Sequence, residues 1–319
     1  MSFSSETKNE LSQIIPDSNC CKLAELSGFI RMSGNISFLE NGIISVEILT
    51  ENAAVARKMI KLVRRLFDIQ IKLTINRNRT YRKGYYYQIS ASLDEQAEKI
   101  LKKLEIIMED DQGTHRINSS VPRKLIYKRC CKRAYLRGVF LGSGSISDPN
   151  KSYHLEIVTA QSEIGEEIKQ IINSFGLNAK MIARKNNYIV YLKEGDQIID
   201  FLSIIGAHNT LLDAENIRIV KDVRNQVNRL VNCDTANLNK IVDTAGRQIE
   251  SIKYIEKTKG LKILPDKLRE IAELRLENME SSLKELGEMM DPALGKSGVN
   301  HRMKRIEEIA QKIKKGEVI

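Results

Sequence analysis

Apolar residues recur along this chain with two periods that alternate, and the alternation happens twice. Ile44, Val46 and Ile48 alternate with Ser45 and Glu47, the period of a strand with one buried face. Asn41-Gly42, which favours a tight primed hairpin turn, separates this run from Ile36 to Phe38. Val55, Met59, Leu62, Val63 and Leu66 then fall at helical spacing, opposite Arg57, Lys58, Lys61, Arg64 and Arg65. Ile71, Leu73 and Ile75 return to alternation, and a basic loop leads into Tyr85-Tyr86-Tyr87-Gln88-Ile89. A helix is expected over 92–108. The same order follows downstream: strand 153–159, helix 161–175, strands 179–184 and 187–192, helix 195–205. After Gly206 only helical periodicity remains, which puts a domain boundary near 206–216.

The two halves share more than periodicity. Residues 20–37 read CCKLAELSGFIRMSGNIS and residues 130–147 read CCKRAYLRGVFLGSGSIS, identical at ten of 18 positions with a constant offset of 110. Such agreement marks a tandem duplication. With this helix in front, each half reads α-β-β-α-β-β-α.

Leu26-Ser27-Gly28-Phe29-Ile30-Arg31-Met32-Ser33-Gly34 and Leu136-Arg137-Gly138-Val139-Phe140-Leu141-Gly142-Ser143-Gly144 resemble the LAGLIDADG homing-endonuclease signature without gaps. The resemblance implies two motif helices packed side by side between the half-domains, with two four-stranded antiparallel sheets forming a saddle on DNA. Gly28 and Gly138 suit a close approach of the helix backbones. Gly34 and Gly144 are expected to end the helices in left-handed geometry. The family's catalytic carboxylates occupy the positions held here by Ser33 and Ser143, and serine lacks the anionic oxygens that a hard divalent ion requires. Asp148 and Glu40 lie nearby without matching each other across the copies. The expectation is a non-enzymatic scaffold with no catalytic residue, no metal and no cofactor, against the alternative of an active site-specific endonuclease.

Composition then narrows the partner. The chain has 319 residues and a formal charge of +10. Ten Lys/Arg lie between Arg57 and Lys83 against Asp68 alone, eight between Thr114 and Ser147 without an acid, and seven between Lys296 and Lys315 against two acids. Acidic stretches separate these blocks, as a phosphate-backbone partner would require. Arg64, Arg65, Arg77, Arg79, Arg82 and Lys83 are the saddle's candidate phosphate contacts. No run approaches the roughly 20 apolar residues of a membrane span. The N-terminus has no apolar signal core, so a cytoplasmic location is expected. Five cysteines without Cys-x-x-Cys spacing argue against a disulfide framework and a zinc site, leaving Cys20-Cys21 and Cys130-Cys131 as buried structural thiols.

Val220, Val223, Val227 and Leu230 form an apolar stripe, and the amide-rich run 223–234 overlapping it reads as a capped helix and its turn or as a phosphate or base contact. Pro265-Asp266 starts a further helix. Ser282 to Met290, a break through Asp291-Pro292-Ala293-Leu294-Gly295 and a helix from Lys296-Ser297 follow helix-turn-helix logic. Ser297 is placed to cap the last helix. Val299, Met303, Ile306 and Ala310 form its apolar face, and Lys296, Ser297, Asn300, His301, Arg302, Lys304 and Arg305 are the candidate DNA-reading residues. The stretch resembles the promoter-reading helix-turn-helix of sigma factors, their region 4.

The fold class expected is therefore α+β, a tandem LAGLIDADG-like duplication followed by an all-α helix-turn-helix domain. Its segments are 1–110, 111–208 and 209–319. An emptied LAGLIDADG duplication joined to such a domain resembles the WhiA transcription regulators of Gram-positive bacteria. So do the runs Ser5 to Leu11, Asn228 to Asn237 and Gly295 to Arg302. That resemblance covers essentially the whole chain and implies regulation of cell division, chromosome segregation and, in sporulating relatives, sporulation. Double-stranded promoter DNA is the implied partner, with RNA polymerase or another regulator as protein partners and the nucleoid as location. The saddle either adds non-specific DNA affinity or docks a protein.

Overall fold

The structure, a computed structural model, describes residues 2–38, 44–67, 71–77, 85–91, 95–109, 115–118 and 120–317. Two compact units divide the chain, Met1–Lys221 and Asp222–Ile319. The Asn41-Gly42 turn, Glu40, Arg79, Arg82 and Lys83 lie outside the described residues.

In the first unit α1 (Phe3–Gln13) precedes the first repeat. That repeat runs α2 (Asn19–Ser33), β1 (Gly34–Phe38), β2 (Ile44–Thr50), α3 (Ala53–Phe67), β3 (Lys72–Arg77), β4 (Tyr85–Ala91) and α4 (Glu95–Lys103). A small hairpin, β5 (Ile107–Glu109) and β6 (His115–Ile117), leads to the second repeat. This runs α5 (Arg129–Ser143), β7 (Gly144–Ile146), β8 (Leu155–Thr159), α6 (Ser162–Asn173), β9 (Lys180–Arg184), β10 (Asn187–Leu192) and α7 (Gly195–Ile205). Each repeat builds a four-stranded antiparallel sheet with matching order, β1-β2-β4-β3 and β7-β8-β10-β9. Val46, Ile48 and Ile89 bury one face of the first sheet against the helices, and Leu155, Ile157 and Val190 do so in the second.

The motif helices α2 and α5 form the centre. A side chain on Gly138 would sit 2.0 Å from the Glu25 carbonyl oxygen, and one on Gly28 2.5 Å from that of Tyr135. Backbone therefore meets backbone, and only glycine fits at both crossings. The glycines that end these helices act differently from the expectation. Gly34 (φ −87°) and Gly144 (φ −74°) are extended, not left-handed, because each is already the first residue of a strand. Glycine is needed there for space: an added Cβ would fall 2.5 Å from the Ile30 carbonyl oxygen or 2.3 Å from the Phe140 ring.

Beside the crossing, the fully buried Glu25 carboxylate pairs with Lys58 of α3 and, at 2.9 Å, with Arg137 of α5. Lys58 also donates to the Leu11 carbonyl (2.7 Å) and Arg137 to that of Ile205 (3.1 Å). One carboxylate thus ties α1, α2 and α3 to α5 and the end of α7. Burial lowers the Lys58 ammonium to about 8, with Glu25 opposing the shift.

The helix expected over 92–108 is shorter, since α4 stops at Lys103. Glu105 takes a left-handed conformation (φ 55°), and its carbonyl accepts from Arg31 (2.8 Å) and Asn118 (2.9 Å). These donors capture the chain and turn it into β5.

From His208 to Lys259 a single helix, α8, continues out of the first unit. The Glu10 carboxylate caps its start, accepting from the Asn209 and Thr210 backbones at 2.7 and 2.9 Å. The turn expected within 223–234 is absent, because this run is mid-helix. The apolar stripe is not buried either: Val220, Val223, Val227 and Leu230 are all exposed.

The second unit holds the end of α8, α9 (Asp266–Glu277), α10 (Leu283–Glu288) and α11 (Lys296–Lys315). Its own core contains Ile252, Ile255, Ile271, Leu286, Val299, Met303 and Ile306.

Candidate nucleic-acid interface

The helix-turn-helix is built from its turn outward. Ser282 and Glu285 form a reciprocal capping box that starts α10: the Ser282 amide donates to the Glu285 carboxylate at 2.7 Å and the Glu285 amide to the Ser282 hydroxyl at 3.3 Å. Donation from the Ser282 amide, with its hydroxyl second, holds the Glu285 carboxyl below its ordinary range. Arg275, almost wholly buried, donates to the Ser281 carbonyl at 2.6 Å and fixes the α9–α10 connection from beneath. A Cβ on Gly287 would lie 2.0 Å from the Leu294 carbonyl oxygen, and the Leu294 amide donates to the Gly287 carbonyl at 2.8 Å. The chain after α10 therefore folds tightly back on it before α11 begins.

Val299, Met303, Ile306 and Ala310 are buried beneath α11, as their spacing predicts. On the remaining surface Lys296, Ser297, His301, Lys304 and Arg305 are exposed and Asn300 is half-buried. Ser297 does not cap the helix. Gly295 holds the cap position without a side-chain bond, and Ser297 lies one residue inside the first turn with its side chain exposed. Arg302 turns inward, donating to the Lys267 carbonyl at 3.4 Å and approaching the Met290 sulfur at 3.9 Å. It braces α11 against α9 and the turn, unlike its neighbours. The described face of α11 is basic and polar over its first three turns, and acids enter only at Glu307 and Glu308.

The saddle distributes its charges differently. Arg64 and Arg65 are exposed on α3, whose opposite side packs into the core with the buried face of the first sheet. They therefore stand on the helical side of that sheet and not on its open face. Arg77 ends β3. On the open face, Asn76 donates to Gln88 at 3.0 Å and Gln88 to Glu47 at 3.1 Å, a neutral-to-acidic ladder across three strands. On the corresponding face of the second sheet Val158 is half-buried, Ile189 buried and Ile182 54% exposed, with the exposed Lys180 and Arg184 on either side of Ile182 along β9.

Ser33 and Ser143 close the two motif helices. The Ser33 hydroxyl donates to the Phe29 carbonyl at 2.8 Å, so it is spent on its own helix. Asp148 accepts from the Asn150 amide at 2.9 Å in a local turn, and Glu156 accepts from Ser145 at 3.2 Å. The Ser143 hydroxyl is buried without a hydrogen-bond partner, so neither serine is bonded to a carboxylate. The cysteines at the opposite ends of the same helices are not uniformly buried, as expected of structural thiols: Cys21 and Cys131 are, Cys20 is half-buried and Cys130 is exposed. No described helix is long and apolar enough to cross a membrane.

Comparison with known proteins agrees with this architecture. Residues 19–107 match the WhiA N-terminal LAGLIDADG-like domain, 132–224 the WhiA LAGLIDADG-like domain and 227–310 the WhiA C-terminal helix-turn-helix domain. The chain is 49% identical over 312 residues to the probable cell division protein WhiA of Alkaliphilus metalliredigens, covering 98% of each chain. It is 51% identical over 318 residues to that of Thermoanaerobacter sp. strain X514, covering all of both. The crystal structure of full-length DUF199/WhiA from Thermatoga maritima is similar at 28% identity with a TM-score of 0.60, over 98% of this chain and 99% of that one. With all three domain models in order and half of the residues shared across full-length relatives, the chain belongs to the WhiA family.

Proposed function

We propose that this protein is a sequence-specific DNA-binding transcription regulator acting in cell division and chromosome segregation, with sporulation added in sporulating relatives. Segments 1–110 and 111–208 serve as a scaffold that no longer cleaves DNA, and 209–319 carries the reader. The observation that carries the reading is the face of α11: Lys296, Ser297, His301, Lys304 and Arg305 exposed on a helix anchored from below by Met303 and Ile306. Such a helix enters a major groove with its first turns at the base edges. Asn300 is the side chain suited to bidentate pairing with adenine, while Lys296, Lys304 and Arg305 neutralise phosphates. The emptied scaffold rests on Ser33 and Ser143, which offer no anionic oxygen where a hard metal would need one. Double-stranded promoter DNA is the partner, and the working location is the nucleoid in the cytoplasm.

A second reading concerns the saddle. The Asn76–Gln88–Glu47 ladder and the exposed Ile182 offer polar and apolar contacts to a protein, with Lys72, Lys180 and Arg184 as the bases on these faces and Arg64 and Arg65 on α3. The saddle then docks RNA polymerase or another regulator.

The experiment is a footprint of the full chain on its bound promoters, with Mg²⁺ or Mn²⁺ included. Asn300→Ala should relax the preferred sequence at one position by about 1–3 kcal/mol, and no strand should be nicked. An unchanged preference removes the assignment of Asn300, and metal-dependent nicking removes the inactive scaffold.

A further inference from the structure

The sequence offers no Cys-x-x-Cys pair, yet the fold assembles four thiols from residues 110 positions apart. Cys20 and Cys21 lie in the first turn of α2, and Cys130 and Cys131 in the first turn of α5. Because Gly28 and Gly138 let these helices touch along their backbones, their N-terminal ends come together. The Cys21 and Cys131 sulfurs are 3.9 Å apart and those of Cys130 and Cys131 4.0 Å. The sulfurs of Cys20, Cys21 and Cys131 all lie within 4.8 Å of one another.

We propose that Cys20, Cys21, Cys130 and Cys131 form a four-thiolate zinc site that clamps the two repeats together. Zinc–sulfur bonds of about 2.3 Å in a tetrahedron place neighbouring sulfurs about 3.8 Å apart, close to the 3.9 and 4.0 Å that separate Cys131 from Cys21 and Cys130, and small rotations about χ1 bring in the remaining thiols. Thiolate ligands select soft or borderline ions, and an S₄ tetrahedron suits zinc.

The surroundings fit a negatively charged complex. Four thiolates around one Zn²⁺ carry a net charge of −2. Neither helix has an acid in its first turn, and both present N-terminal amide ends to the site. Lys22, Lys128, Arg129, Lys132 and Arg133 flank the cysteines in the sequence and make these helix ends basic, although Arg133 is held by the Ser203 and Ile204 carbonyls and Arg129 lies over the Phe175 ring. Access is graded: Cys21 and Cys131 are buried, Cys20 is half-buried and Cys130 is exposed, so an ion can enter on the Cys130 side. Binding forms four Zn–S bonds and releases the four thiol protons to solvent, with no change of oxidation state. Two ligands come from each repeat, so the ion holds α2 and α5 at their open ends as the glycine crossings hold their middles.

The test is a cobalt(II) titration of the full chain, fully reduced and under anaerobic conditions. The expected result is thiolate-to-cobalt charge-transfer absorption and intense tetrahedral visible bands that saturate at one equivalent and vanish when zinc is added. Cys233, exposed on α8, is the internal control, and Cys233→Ser should leave the spectrum unchanged. Cys20→Ser and Cys131→Ser should each weaken binding by more than about tenfold. A measurement on the unsubstituted protein covers any variant that fails to fold: zinc should protect four cysteines from alkylation by iodoacetamide and leave Cys233 reactive. Cobalt binding without charge-transfer bands overturns the proposal, as does equal alkylation of all five cysteines with and without zinc.

Discussion

Individual residues in the first unit decide how the repeats are joined, and two of them make predictions of opposite kinds. Gly138 fits by absence. A methyl group there would press on the Glu25 carbonyl at 2.0 Å, and two helix backbones cannot yield as a flexible side chain does. Gly138→Ala should cost about 3 kcal/mol, read as a lower urea midpoint followed by tyrosine fluorescence. Lys58 fits by charge. Its folded value of about 8 lies below the roughly 10.4 of an unfolded lysine, so between these values the unfolded chain binds more protons. Its contribution to stability should therefore rise with pH from about 8 to about 10, as the cost of burying the ammonium disappears while Arg137 remains on Glu25. Lys58→Met lacks this proton, so the stability difference between wild type and variant should shift toward wild type across that window. A pH-independent difference would contradict the assignment. The glycine was legible in the sequence because the duplication displays it twice. Glu25 was not: its counterpart in the second copy is Tyr135, and no local pattern says that a glutamate will be wholly buried between two cations from other segments, Lys58 of α3 and Arg137 of α5.

Elements were legible where one period dominated and unreadable where a distant side chain intervened. The strands of both sheets other than β7, and the three helices of the helix-turn-helix, follow from alternation and 3.6-residue spacing; β7 is three residues long and shows no period. The end of α4 does not, because it is set by Arg31 and Asn118 capturing the Glu105 carbonyl from elsewhere in the chain. Within α11 the same limit separates two basic residues that look alike in sequence. Arg302 braces Lys267 and Met290, while Lys304 stands free of any described protein partner on the exposed face. Lys304→Ala should weaken DNA binding nearly uniformly across sequences and reduce the slope of log affinity against log salt by about one. Arg302→Ala should instead lower the thermal midpoint of the second unit, leaving the salt slope within error of wild type. Finding the larger slope change in Arg302→Ala would reverse these roles.

At the scale of the whole molecule the duplication and the helix-turn-helix domain were visible from the sequence, and the turn expected between them is not present. An apolar stripe normally signals a buried face, so Val220, Val223, Val227 and Leu230 pointed to a packed helix ending in a turn. In the structure residues 222–243 are exposed on every side of α8, and the helix is sustained there by its own hydrogen bonds alone. The period was right and the burial was wrong, because periodicity reports that a face exists and not that anything covers it. Helix without tertiary packing opens locally at a small fraction of the energy that unfolds a core. Asp222 to Asp243 should therefore exchange its amide hydrogens far faster than α2 or α5, whose residues around Gly28 and Gly138 are wholly enclosed. The same openings admit proteases. Brief trypsin treatment of the native protein should cut first after Arg224, Arg229 or Lys240, before any site in either core, and release two fragments that stay folded. Adding bound promoter DNA should leave these cuts in place if contact is confined to α11, and should suppress them if the amide-rich run 223–234 also touches the duplex. First cleavage within α2, α5 or α11 would show that the exposed stretch of α8 is held more firmly than its burial allows.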